Sequence, residues 1–435
     1  MGKIFALGKY NKLYKYIWIY IVIRVINEYF FGTSFPTQWV FKIFESQNYP
    51  PTIIIQEVFN YFGAFIFSLF LNHYEKKQMS ELNEKEIFHK NDMDSSNSSN
   101  KIEYIYVEQE ISSNISPLSI IFPIIFSIIS EAIMFLYIHI GLEGLDIWVF
   151  DLFFMAILTK IIFDRPVYAH RKIAISILII FSTLFKLIST FLMMYDNNRR
   201  LLYQNHAAII PFGIIAYILL SLLRNYTLCK IKWLLDVKYV TVSTLLITYN
   251  LIGTIIFLIV SFPINFKKCA DKEEFDDIDL ICHATIEKDN KIEYYFDEYT
   301  YFFNHLWQID KIAIANIFYL ILFSVRIFLN FLRILYSILI IKHLSPEFYL
   351  CPACIYFLII KILDLINRII GKENISPEIF NIMAEFVSIF GTMIFLELIE
   401  LKFLNLNLNI RKNIELRSMI EYQIFNTNEE DENES

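Results

Sequence analysis

The stretch Asp151–Ser189, DLFFMAILTKIIFDRPVYAHRKIAISILIIFSTLFKLIS, decides the fold. Two apolar runs, each close to the length that crosses about 30 Å of hydrocarbon at about 1.5 Å per residue, are parted by a short turn holding Arg165, Arg171 and Lys172. The rest of the chain repeats that pattern. Of 435 residues, 56% are hydrophobic and 19% charged, with a mean hydropathy of +0.46. Soluble domains carry about 25% charged and about 45–50% apolar residues, so this composition calls for a bilayer as solvent. The formal net charge of −7 removes the electrostatic footprint of a nucleic-acid binder.

Ten apolar stretches fall near 13–35, 52–72, 116–138, 145–163, 171–194, 207–225, 240–263, 312–341, 347–371 and 377–400. None alternates polar and apolar residues as a barrel strand does, and backbone groups in lipid must be paired internally. The expectation is an all-α integral membrane protein of ten transmembrane helices. Lys3, Lys9, Lys12 and Lys15 precede the first span, Arg165, Arg171 and Lys172 join spans four and five, and Lys230, Lys232 and Lys238 join six and seven. With Lys402, Arg411, Lys412 and Arg417 after the last span, these basic residues place both termini in the cytosol.

Two long polar interruptions, 74–115 and 264–311, each follow the second span of a five-span block. An odd number of spans per block puts equivalent loops on opposite faces, which is the inverted-topology repeat of many secondary transporters. The organisation expected is a cytosolic N-terminus at 1–12, a first five-helix repeat at 13–194 with a cytosolic loop at 74–115, a second repeat at 195–403 with a lumenal or extracellular loop at 264–311, and a cytosolic acidic tail at 404–435. Lys230–Lys238 reads as a short amphipathic helix on the cytosolic surface, a hinge between halves, with Ile231, Leu234, Leu235 and Val237 against lipid.

Three segments resemble the drug/metabolite transporter superfamily, a ten-helix group that includes nucleotide-sugar transporters. Asp151–Ser189 resembles its fourth and fifth helices, KIKWLLDVKYVTVSTLLITYNLIGTIIFLIV (Lys230–Val260) the linker and the first-to-second helix step of the second repeat, and LSPEFYLCPACIYFLIIKIL (Leu344–Leu363) the start of the ninth helix. The resemblance implies an inverted five-plus-five repeat. It also implies a cavity surrounded by helices one to four and six to nine, which adds weight to polar residues there and takes it from Lys186 and Glu385 on spans five and ten.

An ionisable group at mid-bilayer costs about 2.5–3.5 kcal/mol on insertion scales, and those that persist face a bundle interior or a watery path. The candidate solute-binding residues are Arg24, Asn27, Glu28, Gln56, Glu57, Asn60, Glu131, Arg326, Asn330, Lys361 and Asp364. Arg24 and Glu28 stand four apart and Lys361 and Asp364 three apart, so each pair can meet on one helical face. The competing reading makes such charges interhelical struts. Arg333 and Lys160, near cytosolic ends, are expected to snorkel. Tyr29, Tyr61, Tyr137 and Tyr249 could stack on a flat ligand, although packing or an interfacial belt is the commoner role, and His139, His170, His206 and His343 read as interfacial or solvated histidines. Cys269 and Cys282 share the long non-cytosolic loop, and a disulfide between them is expected. Cys351 and Cys354 form a CxxC inside an apolar span, where small packing residues are the better reading.

No phosphate loop, GxSxG, HExxH or metal-ligand spacing occurs, so neither an enzyme, a cofactor nor a metal site is expected. The function expected is alternating-access transport of a small organic solute in an endomembrane or the plasma membrane, by a chain compatible with a homodimer. The alternative is a non-transporting multi-pass scaffold or accessory protein.

Overall fold

A computed structural model describes residues 11–27, 53–92, 117–139, 149–164, 167–195, 209–264, 284–288, 291–295, 313–371, 374–399 and 401. Its helices are α1 (Asn11–Val25), α2 (Ile53–Asp92), α3 (Pro117–His139) and α4 (Val149–Phe163), then α5, one run made of Ala169–Ile177, a π turn at Leu178–Ser182 and Thr183–Tyr195. There follow α6 (Ile209–Asp236), α7 (Val242–Ile264), α8 (Ala313–His343), α9 (Pro346–Gly371) and α10 (Ser376–Phe395). Among the described residues the only other regular structure is an antiparallel hairpin, β1 (Ala284–Lys288) with β2 (Lys291–Tyr295).

Prolines open several helices, while Pro123 and Pro352 lie inside α3 and α9. Pro117 and Pro346 open α3 and α9, and Pro377 lies in the first turn of α10, positions whose N–H would have no intrahelical partner anyway. Ala169–Ser189, Val242–Ser261, Ile321–His343, Pro346–Gly371 and Ser376–Phe395 are each long and apolar enough to cross a membrane. Large apolar side chains face outward along the helices, reaching 71% exposure at Ile161 and 75% at Ile370. Water would not tolerate so wide an apolar surface, and the chain is an α-helical, multi-pass membrane protein.

Two elements differ from expectation. Residues 74–92, placed in a loop, continue α2. Residues 230–236 are not a separate surface helix but the last turns of α6. Ile231, Leu234 and Leu235 are buried against protein rather than lipid, Val237 alone of that face stays half exposed, and Lys232 donates to the Lys342 carbonyl at 2.8 Å. The amphipathic pattern marked an apolar face correctly; what covers it is α6's own bundle.

Close packing divides the chain into two compact units. One holds α4, α5, α9, α10 and α6 as far as Asn225. In it α5 and α10 run antiparallel: Ser182 meets Ser388 at 2.9 Å, Lys186 meets Glu385 at 2.7 Å, and Ser189 donates to the Pro377 carbonyl at 2.8 Å. The π turn of α5 lies at this seam, where Gly391 packs so tightly on Leu178 that a Cβ would overlap its side chain. α9 packs on α10 and on α4, and α4 on α5.

The second unit holds α1, α2, α3, α7, α8 and α6 from Tyr226. There α2 and α7 run antiparallel, with Asn72 against Ser243 at one end and Tyr61 stacked on Phe257 at the other. α2 and α8 run parallel, since Phe59 meets Phe323 and, further along both, Phe67 meets Phe331. α3 packs on α7, Tyr16 of α1 on Tyr336 of α8, and Phe126 of α3 on Tyr226 of α6.

The seam at Gly391 gives a first test. Gly391→Leu overpacks the α5–α10 contact and is expected to cost about 1–3 kcal/mol, read as a lower Tm in detergent. Phe390→Leu, on an outward face, leaves Tm unchanged.

Candidate functional site

The second unit gathers a polar interior from four helices. On α2, Glu57 takes a hydrogen bond from Asn60 Nδ2 at 3.2 Å, one helical turn away. Its carboxylate pairs with Arg326 of α8 at 3.1 Å, both side chains being 18% exposed. One turn beyond Arg326, Asn330 is buried, and its Oδ1 accepts from Arg333 Nε at 3.1 Å. Arg333 therefore turns into the protein and does not snorkel as its position near a helix end suggested. A guanidinium can find an amide acceptor inside the bundle, and that removes the reason to reach for the interface.

Beside this cluster, Glu131 of α3 is held from two sides. Tyr61 Oη donates to Oε2 at 2.6 Å and Tyr249 Oη donates to Oε1 at 2.6 Å, distances typical of a hydroxyl donating to a carboxylate. Ser127 Oγ lies 3.4 Å from Tyr249 Oη. The Tyr61 ring is fixed between Phe257, stacked at 5.2 Å, and the backbone of Gly253, where a Cβ would strike the ring. Further along the α2–α7 seam, Asn250 Nδ2 donates to Ser68 Oγ at 3.0 Å, and Ser68 Oγ donates to the Ala64 carbonyl at 2.7 Å.

Of the candidate residues, Glu57, Asn60 and Arg326 come together directly, with Asn330 one turn beyond Arg326 on α8 and Glu131 in the same unit. Arg24 lies half-buried on α1, and the Asn27 Oδ1 just beyond α1 is buried. Gln56 lies on α2 next to Glu57. Lys361 and Asp364 lie on α9, in the other unit. Glu28, Cys269 and Cys282 lie outside the described residues. Tyr61 and Tyr249, read from sequence as packing aromatics or stackers on a flat ligand, donate instead to Glu131, and neither that role nor the inward turn of Arg333 was foreseen. The signal available for them was indirect: an intramembrane carboxylate at Glu131 demands donors, and phenols are among the few apolar-tolerant side chains that supply one.

Several charges in the first unit are paired locally. Lys186 meets Glu385, Arg368 meets Glu378 at 3.2 Å, and Arg171 bridges Glu347 at 3.0 Å and Glu397 at 3.2 Å. Asp151 pairs with Arg224 and accepts from Ser221 and Asn225. His170, expected at an interface, is fully buried, its Nε2 accepting the Leu401 N–H at 3.2 Å, because a polar contact to the chain following α10 replaces water. Cys354 packs against Thr392, and Cys351 and Cys354 are both free thiols. No group of three or more metal-ligating side chains occurs among the described residues.

No family model, curated protein or solved structure matches the chain. What fold and site define together is a class, an α-helical multi-pass membrane protein with a polar interior.

A double-mutant cycle tests the Tyr61–Glu131–Tyr249 clamp. Tyr61→Phe removes one donor from a part-buried carboxylate and is expected to cost about 1–3 kcal/mol. In a Glu131→Leu background the same change costs nothing or stabilises, since the hydroxyl then lacks its acceptor. Unfolding in detergent, read by tyrosine-independent near-UV or tryptophan signals, measures both.

Proposed function

We propose that the chain is a ten-span carrier built as an inverted five-plus-five repeat, moving a small organic solute by alternating access around the Glu57–Arg326 cluster. One observation carries the reading. If helix n is matched with helix n+5, most of the helix contacts exchange among themselves, α7·α8 excepted. The pairs α2·α7 and α5·α10 map onto themselves, and both run antiparallel. The contact α4·α9 also maps onto itself, α2·α8 exchanges with α3·α7, and α9·α10 with α4·α5. The ring contact of α1 on α8 exchanges with that of α6 on α3. Each compact unit thus takes helices from both halves of the chain, which is the arrangement an inverted repeat would give and supports this reading.

A carrier of this design keeps polar groups where the two repeats meet. The Glu57–Arg326 cluster joins helix two of the first repeat to helix three of the second, and the Glu131 clamp joins helices two and three of the first to helix two of the second. These are cross-repeat contacts, as a site shared between repeats needs. The resemblance to drug/metabolite transporters agrees with this placement, and with Lys186 and Glu385 standing apart on helices five and ten as a buried ion pair.

The second reading, a non-transporting scaffold, draws on the first unit, where Lys186–Glu385, Arg368–Glu378 and Arg171–Glu347 pair locally as struts would. The two readings separate on flux. Purified full-length protein in sealed vesicles is expected to accelerate uptake of at least one radiolabelled solute from a panel of sugars, nucleotides, amino acids and amphiphilic amines. Arg326→Ala or Glu57→Ala should lower that uptake at least about tenfold, because each breaks the ion pair at the proposed site. Protein that is folded, correctly inserted and inert to every solute favours the scaffold.

A further inference from the structure

We infer that the corner of the second unit where α6 turns into α7 binds an anionic phospholipid, its phosphate held by Lys230 and Lys238 and its acyl chains lying along α3. This site is independent of whether the chain carries a solute. The first ground is charge. Lys230 Nζ lies 4.9 Å from the centre of the Trp233 ring and 5.8 Å from that of Tyr226, and Lys238 Nζ lies 5.4 Å from the same Trp233 ring. An aromatic face attracts a cation without cancelling its charge, and two ammonium groups drawn to one indole repel each other. Neither lysine makes an ion pair among the described residues. Lys232, two residues after Lys230, differs: it pairs with Asp236 at 3.1 Å and donates to the Lys342 carbonyl at 2.8 Å. An anionic oxygen within reach of Lys230 and Lys238 offsets their repulsion as Asp236 does for Lys232.

The second ground is position. Ser243 donates to Asn72, Tyr16 stacks on His343 at 5.6 Å, and Lys232 reaches the last turn of α8. The starts of α1 and α7, the end of α8 and the part of α2 beyond Asn72 therefore share one end of the unit with this corner. Lys15, Lys76, Lys77 and Lys342 stand there too, against Glu75 and Asp236 among the side chains described at that end. On the orientation read from the sequence, this end faces the cytosol, whose leaflet carries the anionic lipids. Tryptophan and tyrosine are enriched at headgroup depth, where Trp233 and Tyr226 would meet a lipid.

The third ground is what adjoins the lysines. Phe126 of α3 packs edge-on against Tyr226 at 6.4 Å, and the Pro123 carbonyl accepts from Thr227 at 3.1 Å. Through that contact runs an apolar stripe of α3: Leu118, Phe122, Phe126, Ile129 and Ile133, three or four residues apart, are all exposed, Phe122 by 54% and Leu118 by 59%. A doubly cationic aromatic corner joined to an outward apolar stripe matches an amphiphile, since a free anion has no use for the stripe. The match is to an acidic lipid, because the quaternary ammonium of phosphatidylcholine would face two cations.

The test is native mass spectrometry of the full-length protein in detergent, titrated with dioleoyl phosphatidylglycerol, phosphatidic acid and phosphatidylcholine of the same acyl chains. Both acidic lipids are expected to bind at least about tenfold more tightly than phosphatidylcholine. Lys230→Gln/Lys238→Gln should weaken acidic-lipid binding about tenfold or more, since each lysine near an anionic headgroup is worth about a fivefold change. Lys15→Gln/Lys342→Gln removes the same charge from the same end and should change binding by less than about twofold. If the first pair does not fold, Lys238→Gln alone, in the turn after α6, should weaken binding about threefold or more. Phosphatidylcholine binding as tightly as the acidic lipids overturns the inference, as does an equal loss in Lys15→Gln/Lys342→Gln. Stabilisation of the protein by sn-glycerol 3-phosphate or inorganic phosphate at the lipid's concentration also overturns it, making the corner a site for a soluble anion.

Discussion

A charge within hydrocarbon must meet an opposite charge or several donors, because no solvent is present to do it. That requirement governs how these helices are arranged. Lys186 finds Glu385, Arg326 finds Glu57, Asp151 finds Arg224, and Glu131, lacking a cation in contact, is met by two phenols. Each of these contacts ties helices distant in sequence. Apolar packing alone could not select such neighbours, since lipid tails are as apolar as the leucines and isoleucines between helices, and small residues at Gly253 and Gly391 let the seams close around the polar contacts.

Both units meet this requirement. In the first, charges pair on helices that pack side by side, and seams such as Ser182–Ser388 and Ser189–Pro377 add neutral hydrogen bonds. In the second, the pair at Glu57–Arg326 is flanked by Asn60, whose Oδ1 is left over, just as Asp151 in the first is flanked by Asn225, whose Oδ1 is left over. The proposed transport site therefore rests on the helices that Glu57, Arg326 and Glu131 join, and not on spare hydrogen-bonding capacity.

The helices were legible in the sequence because a membrane span is a local property: about twenty apolar residues announce themselves without knowledge of neighbours. α3 through α9 fall within a few residues of the runs read from sequence, α6 running on past its own, and α10 ends at Phe395, before position 400. What lies on a helix face was not legible. The apolar stripe Ile231, Leu234 and Leu235 has the same periodicity whether lipid or protein covers it, and only the fold shows protein. Arg333 looked like a snorkelling end residue because sequence gives depth and not azimuth. Glu57, Asn60, Arg326 and Asn330 were recognisable singly as polar groups in apolar runs, but that Glu57 would meet Arg326, or Tyr61 and Tyr249 would both meet Glu131, depends on tertiary neighbours about 70 to 270 positions away.

The central claim, that equivalent helices of the two halves cross in opposite directions, is open to one direct measurement. In a background freed of native cysteines, oxidative cross-linking is carried out on membranes with Ser182→Cys/Ser388→Cys and with Ser189→Cys/Pro377→Cys. The account predicts that both pairs link efficiently and that the exchanged pairs, Ser182→Cys/Pro377→Cys and Ser189→Cys/Ser388→Cys, do not. Efficient linkage of the exchanged pairs, or of none, would contradict it.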